Sequence, residues 1–278
     1  MQSPWNTLTE ISEARLFQAR AQLHQAAQLL TAMGISYLEP KPDDSHTSLL
    51  WSPELSSFVS QPFGKAYKLV LNPATLKCQL YHNEALLLDV NLNGATLQQI
   101  AADLQFFFED QGLPSNKFTM KRHFELPEYP DRWSVPFDTS DTEAFKTLQS
   151  SYKNAYPLLH KISRSDPRSS RLLTWPHHFD MAVLKSLDEG KSIGIGMSPG
   201  DESHPIPYYY VNLWPYPSIE QTRDFTLSNG TWHTLGWTGM VLTLNQITRE
   251  GNSTQQALMV QSFLREGIAH AEAISKLS

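Results

Sequence analysis

Apolar residues recur at helical spacing in four stretches of the chain. Leu16, Ala19, Leu23, Ala26, Leu30 and Met33 step by three and four, which predicts a first helix with a single apolar stripe. Thr7 and Glu10 have capping-box spacing ahead of it, and Gly34 fits the residue just beyond its end. A second helix is expected over residues 96–111. Thr96 and Gln99 form its capping box, Leu97, Ile100, Leu104 and Phe107 its apolar face, and Gly112 and Pro114 its stop. A third starts near Ser140 or Asp141, with Phe145, Leu148, Tyr152 and Leu159 inward and Pro157 expected to kink or break it. The fourth covers residues 253–275 through Ala257, Val260, Phe263, Leu264, Ile268 and Ala271.

Between the first and second helices lie strand-like runs at residues 49–51, 67–71, 77–81 and 86–92. Between the third and fourth lie runs at 172–175, 179–184, 193–197 and 208–213. Short turns join successive runs, so the pairing should be antiparallel. The expected fold is α+β, with two similar helix–strands–helix halves packed as one compact unit. The expected division is 1–115, an aromatic and proline-rich connector at 116–139, and 140–278. The connector should form a strand and then an extended link, and it is too aromatic to be a free tether. It should lie on the surface or across a cleft.

The halves also echo one another in residue type. Leu49-Leu50-Trp51 parallels Leu172-Leu173-Thr174-Trp175, and the stretch from Gly64 to Pro73 parallels that from Gly190 to Pro199. Internal duplication and chance similarity of two strand-turn segments both account for this.

Composition narrows the function classes. The chain of 278 residues is 40% apolar and 18% charged with net charge -6, and it has no basic run of the kind a nucleic-acid groove requires. No apolar run is long enough to span a bilayer, and the N-terminus lacks the pattern of a signal peptide. A lone cysteine, Cys78, permits no intrachain disulfide and suits a reducing, cytoplasmic setting. It reads as a buried inert thiol. The expected partners therefore include neither nucleic acid nor membrane. Oligomeric state is not readable.

Side chains able to ligate, donate or stack concentrate between Trp175 and Trp214. If residues 179–184 are a strand, His178 and Asp180 share one face. The next strand presents Ser192, Gly194, Gly196 and Ser198 on one face, leaving room for a close-packed aromatic or for a ligand. Asp201 belongs to the turn Ser198-Pro-Gly-Asp201, and His204 to the loop that leads into Tyr208 and Tyr210. Three readings follow. In the first, these residues satisfy buried backbone groups and one another. In the second, they form a small-molecule pocket with Trp175, Tyr208, Tyr210 and Trp214 as walls and His178, Asp180, Asp201, His204 and His233 as polar groups. In the third, His178, Asp180, Asp201 and His204 hold a divalent metal for a hydrolase-type reaction. The cluster from Trp232 to Gly239 reads as a turn of packed tryptophans or as a further pocket wall. Ser198 is not in a G-x-S-x-G elbow, and Gly190-Lys191-Ser192 lacks the glycines of a phosphate loop. Pattern alone does not decide between enzyme and binding module.

Trp175-Pro-His-His-Phe-Asp-Met-Ala182, Ser198-Pro-Gly-Asp201 and His204-Pro-x-Pro-Tyr-x-Tyr-Val211 resemble a family of bacterial proteins of about this length. Its members carry W-P-E-H-F-D-L-A, S-P-G-D and H-P-x-P-Y-x-Y-V. His177 stands where that pattern has glutamate, so no carboxylate carries over there. The family has no established activity. The resemblance implies a bacterial, cytoplasmic setting and a site in this region, and implies nothing about chemistry.

Overall fold

The computed structural model describes residues 5–277 and is α+β, with helices and two antiparallel sheets. Helix α1 (Glu13–Tyr37) is followed by strands β1 (Leu50–Ser52), β2 (Ser57–Val59), β3 (Tyr67–Asn72), β4 (Lys77–His82) and β5 (Ala85–Asn91), then by α2 (Leu97–Asp110). Next come α3 (Thr142–Ser165), β6 (Leu173–Thr174), β7 (Met181–Ser186), β8 (Ser192–Ser198) and β9 (Tyr208–Trp214). The chain ends with α4 (Ile219–Thr222), β10 (Thr231–His233), β11 (Gly239–Thr243), α5 (Leu244–Thr248) and α6 (Ser253–Ile274).

These elements form two compact units with interleaved segments, where the sequence reading has one unit divided at 115 and 140. One comprises Ala14–Gln149 and Leu173–Phe179, and the other comprises Met1–Glu13, Ser150–Leu172 and Asp180–Ser278. For brevity they are the N-terminal and C-terminal units. Long-range amides explain the interleaving. Gln256 accepts from the Leu8 amide at 2.9 Å and donates to the Leu8 carbonyl at 2.9 Å, so the start of the chain belongs with α6. Leu49 and Thr174 exchange backbone hydrogen bonds at 2.9 Å, which returns β6 to the N-terminal unit.

The N-terminal sheet runs β1-β2-β3-β4-β5, each strand antiparallel to the next. Cys78 is buried in β4, and burial pushes its thiol up to about 12, so it is inert. Helix α1 differs from its expected form at both ends. It starts at Glu13, because residues 5–8 are held extended by Gln256 and Asn154 and Thr7 cannot act as cap. Gly34 lies inside the helix, where a Cβ would sit 2.1 Å from the His46 carbonyl oxygen. Close backbone approach, not termination, is what that glycine provides. Helix α1 is also buried on most of its circumference, polar positions included: Arg20, Gln22, His24, Gln28 and Thr31 are all inside.

Helix α2 starts on the expected capping box of Thr96 and Gln99. The connector contains no strand. Residues 118–138 instead form an extended strap tied to α1 and α2. Its Thr119 amide donates to Ser36, its Arg132 and Trp133 carbonyls accept from the Leu97 and Gln98 amides, and Asp138 pairs with Gln22.

In the C-terminal unit the sheet order is β10-β11-β9-β8-β7, again antiparallel throughout. Ile193, Ile195, Met197, Tyr209, Val211, Leu213, Met240 and Leu242 share one buried face by register. Helix α6 packs there, with Gly267 admitting Val211 at 3.0 Å from where a Cβ would be. Its N-cap is Asn252, which accepts from the Gln255 amide. Helix α3 continues through Pro157 without interruption, carried by buried Tyr152, Ala155, Leu158 and Leu159. The sheets share strand order through three positions, β2-β3-β4 and β7-β8-β9: β3 and β8, which carry the echoed segments, each lie between neighbours in sequence. They differ at the end, where β5 follows β4 directly but the hairpin β10–β11 adds to β9 through β11. The common order is all that the two sheets are seen to share. Among the described residues no helix is long and apolar enough to cross a membrane.

Candidate functional site

The second face of the C-terminal sheet carries the candidate site. Register places Ser198 beside Tyr208, Gly196 beside Tyr210 and Gly194 beside Asn212, all on the side away from α6. The glycines resolve the question of occupancy. A Cβ at Gly196 would lie 2.6 Å from the Tyr210 ring, one at Gly194 2.3 Å from the Asn212 side chain, and one at Gly239 2.4 Å from the Trp237 ring. The space is filled by aromatics and an amide. Tyr210 crosses β8 above Gly196 and donates its hydroxyl to Asp180 at 2.5 Å, just before β7 begins. Tyr208 donates to Asp201 at 2.5 Å, and the same carboxylate caps its own turn by accepting from the Ser203 and His204 amides at 2.8 and 2.9 Å.

Five rings form a closed circuit on this face. Centroid separations are 4.9 Å for His204–Tyr208, 6.1 Å for Tyr208–Tyr210 and 6.5 Å for Tyr210–Trp237. Trp237–His233 at 4.5 Å and His233–His204 at 4.9 Å complete it. None of the five contacts is a flat face-to-face stack, as ring quadrupoles favour. Trp237 and His233 are half-buried at the rim, and Tyr208 is buried. His233 is oriented by a 2.7 Å hydrogen bond between Nε2 and the Leu235 carbonyl. The Nδ1 of His204 is buried without a hydrogen-bond partner.

Electrostatics at the site favour neutral rings. Burial and the neighbouring Asp201 raise the Tyr208 hydroxyl above the ordinary tyrosine range, with the hydrogen bond to Ser198 opposing. Burial and Asp180 raise Tyr210. Burial and the proximity of His233 lower His204, against an upward pull from Asp201.

Asp180, Asp201, His204, Tyr208, Tyr210 and His233 are thus brought together. Trp175 and His178 fall in the N-terminal unit. His178 and Asp180 do not share a strand face. Residues 175–180 form a turn closed by the Phe179 amide on the Trp175 carbonyl at 2.7 Å, and β7 starts only at Met181. Phe179 sits at φ +60, uncommon for an aromatic residue, and the turn breaks the alternation on which the expected pairing depended. Phe179 is fully buried there, stacked on His24 at 4.7 Å and 5°, with Phe58 5.0 Å away. His178 is exposed, with the His177 ring 4.4 Å away. Trp214 is also outside the circuit, 54% exposed and edge-on to Tyr216. Among the described residues no three His, Cys, Asp or Glu side chains converge as metal ligands, so the expected quartet of His178, Asp180, Asp201 and His204 does not assemble as a metal site.

The sequence offers Trp237 only as an alternative wall, and the two glycines flanking it are the available signal. His24 is not legible in the sequence, because its burial in α1 has no signature in a one-residue pattern. His24 donates from Nε2 to the Pro176 carbonyl at 2.7 Å and accepts from the Tyr129 hydroxyl at Nδ1, 3.1 Å. Burial lowers it to about 3, so it is neutral.

Compared with models of known protein families, with characterised proteins and with solved structures, the chain matches none.

Proposed function

We propose that the C-terminal unit is a binding module for a small organic molecule, recognised at the aromatic circuit of its sheet. The observation that carries this reading is the circuit itself: five rings joined by two edge-on and three tilted contacts, with two tyrosine hydroxyls fixed by carboxylates. Such rings lose little side-chain entropy when a ligand arrives, because their positions are already set. The half-buried rim of His233 and Trp237 offers a planar contact.

Binding is favoured over catalysis by the direction of the pKa shifts. A general acid or base works best when its pKa lies near the working pH. Here Tyr208 and Tyr210 move up and His204 moves down, which fixes all three in their neutral forms. The reading is tested by thermal-shift screening of planar aromatic and heteroaromatic compounds against the wild type and a His233→Ala variant. A ligand that raises the melting temperature of the wild type and not of the variant supports it. Ligands that stabilise both equally place binding elsewhere and overturn it.

A further inference from the structure

The N-terminal unit holds a cleft of about 540 Å³ between α1, the start of α2 and the strap. Its volume lies within the range of small-ligand sites. Leu97, Met120, Leu126 and Trp133 supply apolar walls, Gln25, Gln28 and Asp131 polar ones, and Lys121 and Arg122 the positive charge.

Arg122 is the unusual group. Arg122 is half-buried, no carboxylate among the described residues pairs with it, and its Nε is buried without a hydrogen-bond acceptor. An uncompensated, partly desolvated cation costs stability. Its positive charge, after burial, also disfavours protonation of His24. Asp131 does not compensate: its carboxylate is taken by the Trp133 amide at 2.7 Å and by Ser134. The oxygen of Gln28, buried on α1 and lining the same cleft, likewise has no donor, while its Nε2 is committed to the His24 and Pro176 carbonyls. The cleft is therefore lined by a cation with no carboxylate partner among the described residues, beside an apolar wall.

We propose that this cleft binds a small molecule with an oxyanion head and an apolar body, the head carried by Arg122. A guanidinium presents paired N–H donors that match a carboxylate or phosphate, and Lys121 adds to the local positive potential. The apolar body lies against Leu126, Met120 and Trp133. The strap that closes the cleft is ordered by hydrogen bonds to both helices, including Gln25 Nε2 to the Pro130 carbonyl at 3.0 Å. The site is thus preformed. It is separate from the aromatic circuit and does not depend on the function proposed for it.

The test uses the full chain with benzoate, its uncharged analogue benzamide and inorganic phosphate as probes, measured by titration calorimetry. Benzoate should bind and benzamide should not, and Arg122→Met should weaken benzoate by about tenfold or more. Phosphate binding that also depends on Arg122 assigns the head group as a general oxyanion, and benzoate binding without it assigns a carboxylate. Arg122→Met should melt no lower than the wild type without ligand, because it removes an unpaired charge. Should that variant fail to fold, phenylglyoxal labelling of the wild type gives a second readout: benzoate should protect Arg122 and leave exposed Arg171 reactive. Equal binding of benzoate and benzamide, no benzoate binding, or labelling of Arg122 unaffected by benzoate overturns the proposal.

Discussion

The Tyr210 hydroxyl reaches Asp180 across the glycine of an intervening strand, at 2.5 Å. Both Tyr210 and its neighbour Tyr208 hold their protons above the ordinary value of about 10. So does buried Tyr209, whose hydroxyl has no partner. The unfolded chain loses these protons first as pH rises. The stabilisation is therefore complete below pH about 10 and is lost as pH climbs above it. Chemical denaturation across alkaline pH should show this fall. Tyr210→Phe should make it shallower, and an unchanged slope would contradict the assignment.

Gly196 is required by the same relationship. Gly196→Ala would place a methyl 2.6 Å from the Tyr210 ring and force the ring off the sheet. The expected loss is about 1–3 kcal/mol, as for other overpacked sites. Gly190→Ala is not a fair control, since Gly190 has φ +74. Gly251, with open space around it, is. Equal stabilities for Gly196→Ala and Gly251→Ala in urea would refute the packing described.

In the N-terminal unit, His24 should make stability acid-sensitive. The unfolded chain takes up this proton near pH 6.5, the folded chain only at about 3. Stability from this source is complete above pH about 6.5 and falls toward pH 3, by up to about 1.4 kcal/mol per unit. His24→Phe, which keeps a ring against Phe179, should flatten the profile between those limits even where overall stability drops. A parallel profile would show that other groups carry the acid response.

Gly34→Ala tests the reassignment of that glycine from helix stop to helix contact. The added methyl would meet the His46 carbonyl at 2.1 Å, and backbone on both sides cannot yield cheaply. A loss of about 3 kcal/mol is expected, at the upper end for overpacking. At a helix stop with positive φ and free space, alanine would cost roughly 1 kcal/mol. The size of the loss separates the two.

What could be read in the sequence follows from the range of the interactions involved. Thr96 and Gln99 cap α2 as expected because the capping box closes within four residues. Thr7 and Glu10 show the same pattern and fail, because Gln256 competes for that backbone from the far end of the chain. Alternation along β8 correctly grouped Gly194, Gly196 and Ser198 on one face. Which side chain fills the space depends on the register of β9, and that is a tertiary fact. His178 was misplaced because one residue, Phe179, leaves the extended region. Arg122 carries no pattern at all. Its neighbours on α1 lie some ninety residues earlier in the chain.

The central claim, that the aromatic circuit receives a small organic ligand, is tested most directly by fluorine NMR of the chain labelled with 5-fluorotryptophan. Its seven tryptophans give distinct reporters, and a Trp237→Phe variant assigns the one in the circuit. Titration with planar aromatic and heteroaromatic compounds should yield at least one that shifts the Trp237 resonance saturably and leaves Trp5, Trp51 and Trp133 in place. That shift should disappear in Tyr210→Ala. Compounds that move only tryptophans outside the circuit, or that move none, would contradict the account.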